Sequence, residues 1–312
     1  LEVPLYFATQ GFAETPSLKR SNAFDIVGGE CRAVRESVGL LDITGFSRFE
    51  VSGPNAEAWL NSVFATKLPA PGLARLAVAL GHDGRLKGDL TLFNWGDGTW
   101  WIIGSYYLRR WHMRWFDDHM QDGLTIRDLG EEIAGFSLSG PNSKAVIERL
   151  TDGPVADLSF MGCGNFDIGL IRAKVGRLSV TGEAGYEISC RMGDHIALRR
   201  MLLEVGNDLG ISEYGFNALL SLRLEKSYGI WSAEFTQGYT PGMTGMDRWI
   251  DWNNEALLGR EAALAERDGN GPAQRPVTLE VAADGADASG YEPVWSSGNK
   301  VGFVTSGGYG HT

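Results

Sequence analysis

Three charged side chains, Asp89, Glu187 and Arg223, stand in patterns that could carry chemistry. Asp89 lies in Gly84-Arg85-Leu86-Lys87-Gly88-Asp89-Leu90-Thr91-Leu92, a segment that alternates like a strand. On such a strand Leu86, Leu90 and Leu92 share one face, and Asp89 stands on the other with Thr91 and Phe93. Gly88 leaves room for a planar ligand to approach the backbone. Aspartate disfavours a strand interior, so either a solvated strand face or a ligand-facing carboxylate accounts for it. Glu187 follows a turn with two glycines in Thr181-Gly182-Glu183-Ala184-Gly185-Tyr186-Glu187-Ile188. A carboxylate there can accept two N–H donors from an amino-pyrimidine-like ring edge. A surface glutamate fits the same residues. Arg223 in Ser221-Leu222-Arg223-Leu224-Glu225-Lys226 belongs to a leucine-dense helix, where an unpaired cation is costly. Its partner is an acid or a ligand carboxylate.

Other catalytic patterns are missing. The chain has no GxSxG elbow, HExxH, P-loop or GxGxxG after a strand, so it holds no recognisable dinucleotide fold. His112 and His119 can share a helix face, but no carboxylate or cysteine cluster completes a metal site, and none is expected. With 39 acidic against 28 basic residues, a formal charge of −11 argues against nonspecific nucleic-acid binding. It leaves room for an anionic ligand held by one or two arginines. No run reaches the roughly 18 apolar residues of a membrane span, and no signal peptide is visible. Cys31, Cys163 and Cys190 are sparse, odd in number and without a CxxC. That set fits the cytoplasm or another reducing soluble compartment such as the mitochondrial matrix.

These side chains must be held by elements of both kinds. A helix is expected from about residue 29, a strand over 46–51 and a hairpin of 76–80 with 86–93. A further strand is expected over 100–103 and a helix over 107–120, with its aromatic stripe in the core. The tetrapeptide Ser52-Gly53-Pro54-Asn55 returns as Ser139-Gly140-Pro141-Asn142, each after a strand-like run and before a helix. Proline suits a first helical turn, and the matching contexts point to an internal pseudo-repeat. Strands over 167–175, 177–180 and 186–190 precede helices over 194–209 and 213–228. Residues 266–276 read as a linker, with strands at 277–281 and 300–305 beyond it. Strands and helices interleave without a βαβ rhythm, so the class is α+β.

In order along the chain, several pieces resemble the aminomethyltransferase (glycine-cleavage T-protein) superfamily. They are the run from Glu30-Cys31-Arg32 to Leu41-Asp42, Val51-Ser52-Gly53-Pro54, the Asp89 segment and Leu138-Ser139-Gly140-Pro141. The Glu187 and Arg223 segments, Gly259-Arg260-Glu261-Ala262 and Val304-Thr305-Ser306-Gly307-Gly308-Tyr309-Gly310 continue the series. The likeness is greatest to the folate-binding C-terminal half of dimethylglycine and sarcosine dehydrogenases. It implies a ring of α+β units around a central folate cavity, followed by a C-terminal β-barrel that is here incomplete. Residues 1–24 would be a connection from an upstream flavin domain, 25–270 the folate-binding domain and 271–312 the start of the barrel. Leu1 in place of a methionine, and an end in a glycine turn, suggest a piece of a longer protein.

The resemblance also implies a cofactor, tetrahydrofolate, with FAD only in an upstream domain. The implied activity is capture of the methylene or formaldehyde unit released when a small methylated amine is oxidatively N-demethylated. The implied partners are that amine or its iminium product and a flavin oxidoreductase domain, in cis or in trans. By position, Asp89 matches the catalytic aspartate, Glu187 the glutamate that holds the pterin, and Arg223 an arginine of the folate-site helix. The chain departs from the pattern at Val180, where tyrosine is usual, at Leu220, where aspartate is usual, and at Met243, where glutamate is common. These changes keep two other readings open: flavin-independent folate-dependent demethylation of an O-methyl or S-methyl compound, and a noncatalytic folate-binding scaffold.

Overall fold

Most of the molecule is one arrangement of elements used twice. The structure is a computed structural model describing residues 3–312, so the first two residues of the expected lead-in lie outside it. Helix α1 (Phe24–Glu36) and strand β1 (Val38–Asp42) come first. The first unit runs β2 (Ser47–Ser52), α2 (Ala56–Val63), β3 (Leu73–Leu80), β4 (Leu86–Asn94), β5 (Trp100–Gly104), α3 (Arg109–Asp117) and β6 (Thr125–Asp128). The second repeats that order as β7 (Ile133–Ser139), α4 (Ser143–Glu148), β8 (Cys163–Ile168), β9 (Ile171–Gly176), β10 (Gly185–Arg191), α5 (His195–Val205) and β11 (Ile211–Glu213). Helices α6 (Phe216–Glu225), α7 (Pro241–Thr244) and α8 (Arg260–Asp268) and a hairpin of β12 (Pro293–Ser296) with β13 (Asn299–Phe303) follow.

The sheets repeat as well. The first is ordered β3-β4-β5-β2-β6 and the second β11-β1-β7-β10-β9-β8, so β3-β4-β5-β2 returns as β8-β9-β10-β7. The difference is β1, which enters between β7 and β11 and pairs with β11 in parallel. Both copies of the repeated tetrapeptide make the same turn. Gly53 and Gly140 take φ of +112° and +135°, and a Cβ at either would stand within 2.3 or 2.6 Å of a backbone oxygen. Only glycine fits there. The edge strands of the units meet across a pseudo-twofold axis: Ala74 N–H donates to Met161 O at 2.7 Å and Cys163 N–H to Gly72 O at 2.8 Å. Ala74 and Cys163 are equivalent positions, opposite Phe93 and Gly176 in their own hairpins.

Each sheet packs two helices on its outer face. Phe49, Val51, Leu90, Leu92 and Ile102 meet Trp59 and Leu60 of α2 and Phe116 of α3. Phe136, Leu138, Tyr186 and Ile188 meet Val146 and Ile147 of α4 and Leu198 and Leu202 of α5. The inner faces turn toward each other. Phe93, Trp101 and Ile103 fill one side between them with Cys163 and Leu178. Helices α1 and α6 cover Leu41 and Tyr214, and the stretch from Trp231 to Ala263 covers Val78, Leu80 and Leu86.

Several sequence expectations need correction. The strand read over 167–175 is a hairpin, β8 and β9, turning at Gly169 with φ +57°. Residues 177–180 form no strand, because the Ser179 hydroxyl takes the Thr181 N–H and competes with ladder bonding. Helix α1 begins at Phe24 rather than near residue 29, and α5 stops at Val205 before Gly206. Residues 277–281 form no strand, and α8 takes the first residues of the expected linker. Among residues 271–312 the only strand pair is β12–β13.

Candidate active site

Asp89 reaches the interior by way of a bulge. Leu80 stands opposite Leu86 and Ala79 opposite Gly88, so Lys87 is an extra residue in β4. It reverses the alternation. Leu86 packs with Val78 and Leu80 on the inner face while Leu90 and Leu92 join the outer core, which corrects the expectation that the three leucines share one face. Asp89, opposite Val78, is on the inner face with Thr91 and Phe93. The side chain is half-buried. Burial pushes its carboxyl up to about 7, opposed only by its own backbone N–H.

Glu187 stands on the inner face of the second sheet. Its neighbours Tyr186 and Ile188 point into the outer core, so Gly185, Glu187 and Ser189 point inward. Across the ladder Glu187 faces Ser137 of β7 and Gly176 of β9. The floor around it is small and polar. Hydroxyls run from Ser137 to Ser139 (3.2 Å), Ser179 (3.0 Å) and Thr181 (2.7 Å). Glu187 is 8% exposed, and burial pushes its carboxyl up to about 7 against the pull of Arg48. No protein group among the described residues donates a hydrogen bond to either carboxylate beyond the Asp89 N–H. Carboxylate oxygens free of protein donors can accept from a ligand with N–H groups.

Arg48 links the two sheets. It is fully buried in β2, and its guanidinium donates to the carbonyls of Ile43 (3.1 Å), Thr44 (3.3 Å) and Phe46 (3.1 Å), with Nε left unpartnered. A Cβ on Gly135 would stand 2.4 Å from its Nη2, so the guanidinium lies on the floor beside Ser137 and Glu187. Burial pulls Arg48 down to about 10 while Glu187 and Asp42 favour its charge. Arg48 is opposite Ile103, and Ile103 opposite Thr91, two residues from Asp89. At about 4.8 Å per strand, roughly 10 Å of sheet separates the backbones of Arg48 and Thr91. Phe93 closes one end against Gly176, the partner of Glu187. Asp89 and Glu187 therefore stand on the inner faces of opposite sheets.

Arg223 is placed differently. It is 4% exposed, and its Nη1 donates to Glu234 (2.9 Å) and the Tyr228 carbonyl (3.0 Å), its Nη2 to the Ser306 hydroxyl (2.8 Å). Glu234 also accepts from Ile230 N–H and the Thr305 hydroxyl. The arginine thus ties α6 to residues 228–235 and to the C-terminal segment, leaving only Nε without a partner. Glu183 faces away from Glu187 toward Arg35, at 2.5 Å. Val180 packs with Leu41, Ile43 and Tyr214. Met243 lies in the first turn of α7, where its N–H meets the Thr240 hydroxyl. Leu220 is half-buried on α6.

Arg48, Tyr214 and the serine chain were not singled out in the sequence. Tyr214 is fully buried over Gly39, beside the Ser137 and Ser139 hydroxyls, with burial pushing its hydroxyl up to about 12. Arg48 alternates with Phe49 and Val51, a pattern that a solvated face also produces. Only Ser139 carried a signal, through the repeated tetrapeptide. The three cysteines are free and buried, with thiols pushed up to about 11 or 12. No cluster of three metal-ligating side chains occurs among the described residues, nor any helix long and apolar enough to cross a membrane.

Fold and site define an α+β protein with a pseudo-symmetric pair of sheets, each carrying a carboxylate on its inner face. A family model described as the GCVT N-terminal domain matches residues 1–254, and one described as the glycine cleavage T-protein C-terminal barrel domain matches 274–312. The chain belongs to the glycine cleavage T-protein (aminomethyltransferase) family. It is 30% identical over 302 residues to the mitochondrial dimethylglycine dehydrogenase of Mus musculus, covering 95% of this chain and 35% of that protein. To the aminomethyltransferase of Bacillus subtilis it is 28% identical over 287 residues, covering 91% and 79%. The chain thus spans about a third of the dehydrogenase. The crystal structure of the glycine cleavage system aminomethyltransferase T from Bartonella henselae superposes with a TM-score of 0.80 at 21% identity, over 96% of this chain and 83% of that one, and shares its fold.

Proposed function

We propose that the chain binds tetrahydrofolate between its two sheets and transfers a one-carbon unit onto it. The unit is the methylene or formaldehyde released by oxidative N-demethylation of a small methylated amine. The observation that carries this reading is the pair of carboxylates, one on the inner face of each sheet, that among the described residues take no hydrogen bond beyond the Asp89 N–H. When bound, the folate supplies the ring nitrogens that take up the one-carbon unit. Glu187 accepts the N–H groups of the amino-pyrimidine edge as a charge-assisted pair. Asp89 stabilises the cationic iminium as a carboxylate and takes up a proton released as the new bonds form. A carboxyl near 7 is poised for both tasks close to neutral pH. Arg223 holds residues 228–235 and Ser306 against α6, and its assignment to the folate site rests on the family resemblance.

Family membership supports the transferase chemistry, and the likeness to dimethylglycine dehydrogenase supports a methylated amine as the source. On this reading an FAD-bearing oxidoreductase domain, in cis or in trans, oxidises the amine. We also assign residues 25–270 to folate binding and 271–312 to the barrel domain. Titration calorimetry with tetrahydrofolate tests the core of the proposal. Saturable binding with a raised melting temperature is expected; no heat and no thermal shift would overturn it.

A further inference from the structure

Lys87, the bulged residue of β4, has no partner in the ladder with β3, and β5 pairs with β4 only from Thr91 onward. A buried backbone group outside the ladder needs a partner from elsewhere. His112 of α3 provides one: its Nε2 lies 3.2 Å from the Lys87 carbonyl, and the ring is fully buried. A carbonyl only accepts, so Nε2 carries a proton. Burial pushes the pKa of His112 down to about 4, which keeps it neutral. Nδ1 is then a bare acceptor with no donor, a cost that an apolar residue at this position would avoid. The ring is held from both sides, stacked on Phe116 at 6.1 Å and edge-on to Trp111 at 5.1 Å. A Cβ on Gly88 would stand 3.0 Å from His112 Nε2, so the strand approaches the ring closely where it bulges.

We propose that His112 is a positioning residue: by holding the Lys87 carbonyl it fixes the bulge, and the bulge fixes the direction of Asp89 into the interior. The kinetic consequence rests on the function proposed above, whereas the geometric one does not. His112→Phe keeps a ring and removes the donor; His112→Gln keeps an N–H donor. Amide hydrogen exchange of residues 86–90, tetrahydrofolate affinity and one-carbon transfer are measured for both, each alone and with Asp89→Asn. For His112→Phe, exchange at 86–90 should rise and transfer should fall, each by about ten-fold or more, with affinity within about two-fold. His112→Gln should restore most of both. With Asp89→Asn already present, His112→Phe should lower transfer no further, because it acts through that carboxylate. Unchanged exchange at 86–90, a failure of glutamine to rescue, or an equal loss of transfer in both backgrounds would overturn the inference. If exchange behaves as expected while the parent protein shows no tetrahydrofolate-dependent transfer, the proposed function fails and the positioning of Asp89 stands.

Discussion

Asp89 and Glu187 are carboxyls that burial pushes up to about the same value, and on the proposed function their neighbours divide the work between them. Glu187 has the cation of Arg48 nearby, which favours its ionised form against burial, and a floor of glycine and serine. Replacing it with glutamine keeps the size but turns one acceptor into a donor facing a donor. Tetrahydrofolate affinity should fall by at least about ten-fold, or about 1.4 kcal/mol. Glu183→Gln, which loses only the contact to Arg35, should leave affinity unchanged. Equal small effects from both would misplace the ring edge. Asp89 has no cation beside it, so its charge opposes folding. Its carboxyl is raised from the ordinary value near 4 to about 7, so the folded protein binds a proton in that interval that the unfolded chain has released. Stability from this group is therefore lost as pH rises through the window and stays lost above it. Asp89→Asn should melt at about the same temperature as the parent near pH 4 and about 3 °C or more above it at pH 8. A gap that does not change with pH would show that Asp89 ionises as a solvated residue.

At the scale of elements, the two strand–turn–helix junctions share one turn, whose glycine is required both by its positive φ and by a backbone oxygen from elsewhere in the chain. Gly140→Ala must force a Cβ against the Ser37 carbonyl at 2.6 Å, in a conformation that L residues avoid. Gly98 also has positive φ, +85°, but nothing within 4 Å of its Cβ position. Chemical denaturation should show a loss of about 1 kcal/mol for Gly98→Ala and about 2–3 kcal/mol for Gly140→Ala. Similar losses would mean that the turn can relax. These junctions were legible in the sequence because a glycine, a proline and a following apolar period act within a few residues. Hairpin β3–β4 was legible for the same reason, but the bulge at Lys87 was not. A single extra residue leaves the pattern of leucines intact while moving Leu86 to the other face. Residues 177–180 read as a strand by side-chain type and lost that conformation to a hydroxyl–backbone contact. Arg48 and Tyr214 gave no local sign, since what makes them part of the site is a partner from the other sheet or another strand.

At the scale of the molecule, the duplicated unit explains why an interior exists. Each sheet spends its apolar outer face on two helices, and the pseudo-twofold contact of β3 with β8 turns the inner faces toward one another. The repeated tetrapeptide was a faithful marker of this duplication, though four residues could not reveal that β1 enters only the second sheet. The symmetry is broken where function is proposed. The position equivalent to Asp89 carries Arg172, paired with Asp167, and the one equivalent to Glu187 carries Trp101. The account stands on that division between a carboxylate that holds and a carboxylate that acts. Its most direct test is Asp89→Asn, with tetrahydrofolate affinity and the rate of methylene-tetrahydrofolate formation measured on the same preparation. The account predicts affinity within about two-fold of the parent and a rate lower by about ten-fold or more. An unchanged rate would contradict it, as would a loss of affinity that accounts for the whole fall in rate.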